Sequence, residues 1–218
     1  MMIGMLLADA RLPTGAGSHS AGLEAAVDAG LDAAAVPGYI AARLYTVGAI
    51  DAGAAILAHR AARSGDIDAF ERLDRAIGAR TPSAPMRHAS RQLGRGMVRT
   101  GARLAPDDPV LARLSAAAPY RAVATGAVTS ALGADERTAA AVVLYDEAQT
   151  IASAALKLVP ADPVVAAGWV EATFDRVAPM LADAVDVTCA EDLPARGAPA
   201  MELWIDRHSH ERRRLFVS

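Results

Sequence analysis

Fifty-three of the 218 residues are alanine. They are spread through every segment up to Ala200 rather than gathered in one tract. Alanine is the best helix former and a poor strand former. No stretch of the chain alternates apolar and polar residues as a half-buried strand would. The sequence therefore dictates helices packed closely through small side chains. Hydrophobic residues make up 53% but aromatics only 4%, which argues against a sandwich or barrel core. The expected architecture is all-α: a single-domain bundle of about 8–10 helices over residues 1–218.

Breakers place the elements. Pro13, Gly15 and Gly17 mark a loop after a short apolar start. Ser18 or Ser20 is placed to cap a helix ending at Gly30. Pro37 suits the first turn of a long helix to about Arg63, stopped by Gly65. Asp66 caps a helix to about Ala79, and Thr81-Pro82 opens one through Leu104. Asp107-Asp108 before Pro109 reads as a cap. Segments follow from Arg121 to Leu132, from Asp135 to Pro160, and from Asp162-Pro163 to about Thr188. Pro179 predicts a kink or break in the last of these. A final helix begins near Ala200 and enters the basic tail.

In the Thr81–Leu104 segment, Met86, Leu93, Met97 and Leu104 fall within about 20° of one direction at helical pitch. Ser90, Gly94 and Gly101 flank that stripe. Arg87, Arg91, Arg95, Arg99 and Arg103 spread over the opposite half. Such an arginine face is either a solvated surface or a ridge for an acidic partner.

Charge excludes some classes. The formal net charge is −3, so there is no electrostatic footprint for non-specific nucleic-acid binding. The first 50 residues hold only Arg11 and Arg43 as basic residues, too few for a DNA-reading head. No run reaches the roughly 20 apolar residues of a membrane span; the most apolar stretch reads as Ala139 to Tyr145. The N-terminus lacks a basic n-region, and Cys189 is alone, which suits a reducing, cytoplasmic setting.

Catalytic motifs are missing. Thr14 to Gly22 is Gly-rich, yet it is neither G-x-x-x-x-G-K-[ST] nor G-x-G-x-x-G, because Ser20 stands where the last Gly belongs. Ser18, His19, Ser20 and Glu24 suggest a hydrolase only without a G-x-S-x-G elbow to support it. Glu24 suits the dipole of an early helical turn. Asp183 and Asp186 share a helix face and read as a solvated pair. Five scattered histidines, including His208 and His210, give no recognisable metal-ligand spacing, so no metal site is assigned. His208 reads as a surface or interface residue. Residues alone thus leave a helical protein without a visible active site, with a ligand-binding or regulatory domain of unknown ligand as one reading.

Three ordered blocks carry a resemblance. The first runs from Leu6 to Glu24, with Leu12-Pro13, Gly15, Ser18, Ser20 and Gly22-Leu23-Glu24 as its marks. The second is Arg87-His88-Ala89-Ser90-Arg91-Gln92-Leu93-Gly94-Arg95. The third is Arg207-His208, five residues, then Arg214-Leu215-Phe216-Val217-Ser218. A further match is Lys157-Leu158-Val159-Pro160. Together they resemble the urease accessory protein UreF family, in an actinobacterial dialect. His19 stands where that family usually has Tyr, Gly17 where it often has Phe, and the Leu-Gly-Gln that usually follows Pro160 is absent.

The resemblance implies an all-helical, non-catalytic, homodimeric scaffold of the cytoplasm. With UreD (also called UreH) it would recruit the GTPase UreG and assist nickel insertion into apo-urease, with carbon dioxide as a lysine carbamate. No intrinsic cofactor is implied; the assembled complex handles nickel. Carried over by position, Ser18, His19, Ser20, Glu24, Arg87, Arg91, Arg95, Lys157, His208, Arg214, Leu215 and Phe216 are the expected partner-binding residues. Leu12, Pro13, Gly15, Gly22, Ser90, Gly94 and Pro160 are expected to shape turns and close packing. Residues 1–17 and 207–218 are expected to be partner-binding or partly flexible ends.

Overall fold

A computed structural model describes residues 1–211 and 214–216. Val217 and Ser218 of the tail motif lie outside them. Among the described residues there is no strand, and the all-helical expectation holds. The α-helices are α1 (Met2–Leu7), α2 (Leu23–Asp28), α3 (Val36–Arg43), α4 (Ala49–Ser64), α5 (Ile67–Arg80), α6 (Ala84–Leu104), α7 (Pro109–Ala117), α8 (Arg121–Ala131), α9 (Glu136–Leu158), α10 (Pro163–Glu171), α11 (Phe174–Asp186) and α12 (Pro199–His208).

The centre is α4 packed along α8, with α9, α6 and α5 around them. Small residues make this approach possible. Ala52, Ala54, Ala55 and Ala58 on α4, and Ala122 and Ala124 on α8, are fully buried. At the crossing, a Cβ on Gly126 would lie 2.3 Å from the Ala55 carbonyl oxygen. Two apolar clusters result. One lies beneath α5, α6, α7 and α8 and includes Phe70, Leu111 and Tyr120. The other surrounds α3 and α9 and includes Leu23, Ile40, Ile151 and Phe216.

Aspartate side chains seat four of the starts as expected. Asp66 accepts from the Ala69 N–H, Asp108 from Leu111, Asp135 from Thr138, and Asp162 from Val164. Three boundaries differ, and one exposure does. Gly22 and not Ser18 or Ser20 precedes α2; at φ +79° it turns the chain in left-handed backbone, and a Cβ there would strike Ile205 and Tyr39. Ser20 still contributes, its Oγ accepting the Glu24 N–H at 3.3 Å. Helix α6 begins after Ser83, with Pro85 and not Pro82 in its first turn. The break expected at Pro179 falls earlier, at Ala172-Thr173. Starting α11 there places the Asp175 carbonyl, which Pro179 cannot pair, in the new helix's first turn. Finally, Leu104 ends the α6 stripe 46% exposed, because α6 outruns the core that buries Met97.

The most apolar window is also not Ala139 to Tyr145. Ala33–Ser64 forms one continuous rod, long and apolar enough by composition to cross a membrane. The rod is the protein's central core helix, with 67% of its 18-residue apolar window buried inside the fold.

Within the rod, Leu44–Gly48 is a single π turn. Such a turn adds the equivalent of one residue. Arg43 and Asp51 would stand about 80° apart on a regular helix; with the extra residue they differ by about 20°. Both therefore face inward, and both are buried.

Candidate functional site

Three helices converge their charges on one interior point. Arg43 comes from the rod before the π turn, Asp51 from the rod after it, Arg121 from the first turn of α8, and Asp146 and Glu147 from the middle of α9. The Arg121 guanidinium is the hub. Its Nη2 donates to Glu147 Oε2 at 2.8 Å and reaches Asp51 Oδ2 at 3.5 Å, while Nη1 donates to Asp146 at 3.0 Å. Arg43 Nε donates to the other Glu147 oxygen at 2.8 Å. The Arg121 backbone N–H is capped by Ser90 Oγ from α6 at 3.1 Å.

The carboxyls are not equivalent. Burial by itself raises the Glu147 carboxyl, but the guanidiniums of Arg43 and Arg121 hold it below its ordinary value. Asp51 is desolvated too, and its nearest guanidinium is the long Arg121 contact; burial pushes it up to about 6. Burial likewise raises Asp146, against the opposing pull of Arg121.

Beside this cluster lies a cleft of about 80 Å³, lined by Arg43, Asp51, Arg121 and Glu147 with His19, Ser90 and others. It has room for a few waters. His19 is buried; burial, then the neighbouring charges of Arg121 and His88, lower its pKa.

A second constellation joins the two ends of the chain. Glu24 on α2 is 6% exposed, and its carboxylate accepts the backbone N–H groups of Leu215 at 2.6 Å and Phe216 at 2.9 Å. Phe216 is buried in the second apolar cluster with Lys157 Nζ 5.1 Å from its ring centroid. Leu215 remains 61% exposed. His208, the last residue of α12, stands against Glu24 and Asp28. Of the two expected settings, surface or interface, the first does not hold within the chain: only 4% of His208 is exposed, because the turn at Gly22 tucks α2 against α12.

The remaining candidates are dispersed. Ser18 is exposed and its hydroxyl donates to the Gly15 carbonyl. Arg87 donates to the carbonyls of Thr81 and Pro82. Arg91 forms a two-pronged pair with Asp74 and stacks on Tyr120, 4.1 Å from the ring centroid. Arg95 and Arg214 are exposed. Gly94 does shape packing: a Cβ there would sit 2.0 Å from the Pro119 carbonyl oxygen. Pro13 is exposed in its turn, and Leu12 packs against the first apolar cluster.

Sequence reading singled out Glu24, His208, Leu215 and Phe216 as partner-binding residues without foreseeing that they meet, and it missed Arg43, Asp51, Arg121, Asp146 and Glu147. One signal was present. Each interrupts an otherwise apolar, Ala-rich helical segment, where an unpaired charge is costly and a pairing partner is required.

Comparison with known proteins gives the family. The family model named UreF matches residues 31–172. The chain is 36% identical to the urease accessory protein UreF of Mycolicibacterium vanbaalenii over 217 residues, 98% of this chain and 97% of that one. It is 35% identical to the protein of the same name from Mycobacterium sp. strain JLS, with the same coverage. For the Mycobacterium tuberculosis protein of that name the identity is 33%, over 98% of this chain and 97% of the relative. An all-helical protein with a charged interior and a carboxylate-clasped tail is here an accessory protein by kinship. The chain belongs to the UreF family.

Proposed function

We propose that the protein is a non-catalytic scaffold in urease maturation. Working as a homodimer in the cytoplasm with UreD/UreH, it recruits the GTPase UreG and assists nickel insertion into apo-urease. The observation that carries this reading is similarity to proteins named as urease accessory proteins along almost the entire chain. The geometry supports it. The residues that resemble the family's terminal blocks, Glu24, His208, Leu215 and Phe216, gather at one place although they lie almost 200 positions apart. The clasp leaves Leu215 and Arg214 outward. In this reading they meet the partner, Lys157 and Glu24 hold the tail ready for it, and Ser18 is the exposed member of its turn, whereas His19 and Ser20, expected at the partner surface, are buried. Arg95, the one arginine of Arg87, Arg91 and Arg95 that is exposed, is assigned to an acidic partner surface. Nickel and GTP chemistry are assigned to the assembled complex, with no cofactor resident in this chain.

The test is activation of the cognate urease in cells with and without this gene, nickel being supplied to both. Active urease only with the gene is the expected result. Equal activity in its absence overturns the maturation role.

A further inference from the structure

His208 is only 4% exposed, and neither of its ring nitrogens has a hydrogen-bond partner. Yet carboxylates surround it. Nδ1 stands 3.0 Å from Asp28 Oδ2 and 3.7 Å from Glu211 Oε2, and Nε2 stands 3.4 Å from Glu24 Oε2. One donor atom each from His208, Asp28 and Glu211 lie within 4.8 Å of one another.

We propose that His208 Nδ1, Asp28 and Glu211 form a binding site for a divalent transition-metal ion, with Glu24 orienting the imidazole from behind. The spacing fits. Donors about 2.0–2.1 Å from a tetrahedral ion are separated by about 3.3 Å, and the two Nδ1–carboxylate distances lie on either side of that value. The roles of the two ring nitrogens also fit. A metal-bound histidine presents one nitrogen to the ion and gives the N–H of the other to a carboxylate; Glu24 is on the Nε2 side and the open pair of acids on the Nδ1 side. Asp28 and Glu211 are about half exposed, so water completes the coordination and an ion has a route in. Helices α2 and α12 both end at this point, where their carbonyl ends favour a cation. One imidazole with two carboxylates selects Zn²⁺, Co²⁺ or Ni²⁺ over Mg²⁺ and Ca²⁺.

The ion would link the end of α2 to the residue that opens the tail, one turn before the backbone that Glu24 holds. Binding would therefore tighten the clasp. The site is independent of the maturation role, since ion binding is read on the isolated chain without urease.

The experiment titrates Zn²⁺, and separately Co²⁺, into the full chain carrying Cys189→Ser, which removes the exposed thiol. Calorimetry gives stoichiometry and affinity, and the Co²⁺ visible spectrum reports the ligand field. The expected result is one ion per chain, Zn²⁺ bound well ahead of Mg²⁺, and slower amide exchange at Leu215 and Phe216 on loading. Asp28→Asn and Glu211→Gln, both at exposed side chains, should each weaken Zn²⁺ binding by about tenfold or more with unchanged circular dichroism. His210→Ala should leave affinity unchanged. Absence of Zn²⁺ and Co²⁺ binding overturns the site and leaves His208 as a buried ring among carboxylates. Binding that survives Asp28→Asn and Glu211→Gln, or that His210→Ala abolishes, overturns it as well.

Discussion

Asp51 shows how one buried side chain makes a fold respond to pH. Its carboxyl ionises near 3.8 when free but is held at about 6 in the folded chain, chiefly by burial. Between those values the native state binds the proton more tightly than the unfolded state does. Its contribution to stability is therefore complete below about pH 4 and is lost as pH rises through about 6. The span sets an upper limit of about 3 kcal/mol. Asp51→Asn, which keeps the shape and cannot ionise, should flatten the dependence of melting temperature on pH between 4 and 6. An unchanged profile would mean that Asp51 is ionised throughout. Glu147 has the opposite sign: its lowered carboxyl stabilises above the unfolded value and that support disappears on acidification. None of these assignments was legible in the sequence. Arg43 and Glu147 are 104 positions apart, and Arg121 and Asp51 are 70 apart. A single sequence displays the charges but not their pairing.

Helix α6 illustrates what a helix's own pattern reveals and what it hides. Its stripe and its flanking small residues were readable at helical pitch, and the structure gives each small residue a neighbour. Ser90 caps the Arg121 N–H, Gly94 lies on the Pro119 carbonyl, and Gly101 lies against Val128. Gly94→Ala is expected to destabilise the protein by at least about 1–3 kcal/mol, because the obstruction is backbone that cannot rotate away. Chemical denaturation of the variant checks this, and wild-type stability would refute the close approach. The opposite face was ambiguous for a physical reason. Arginine is equally at home in water and on a neighbouring carboxylate, and only the fold brings Asp74 and Tyr120 to Arg91. Proline misled at Pro179 because a breaker fixes that a helix must adjust nearby, not on which side. The π turn left no local mark: Leu44–Gly48 contains ordinary helix formers and one Gly, and the register shift exists to serve charges elsewhere in the fold.

At the scale of the whole molecule, the two termini are stitched by one carboxylate. The fold class was legible from alanine content and breakers, and the ends were legible as a resemblance. Their meeting was not, since no periodicity connects residue 24 to residue 216. Glu24→Gln retains an acceptor but removes the charge from two short hydrogen bonds, each worth about 1.5–3 kcal/mol when charged. Amide exchange at Leu215 and Phe216 should accelerate by about tenfold or more while helicity stays intact. Unaltered protection would place the tail's support in Phe216 packing alone.

The clasp also puts the last step of assembly on a clock. Glu24 is translated 191 residues before Leu215, and ribosomes add about 5–20 residues per second. For roughly ten to forty seconds each nascent chain therefore carries a carboxylate whose partners have not been made. Helix α2 cannot reach its final setting during that interval, however early α4 forms. A newly synthesised molecule thus passes through a long open stage before Leu215 and Phe216 can reach Glu24.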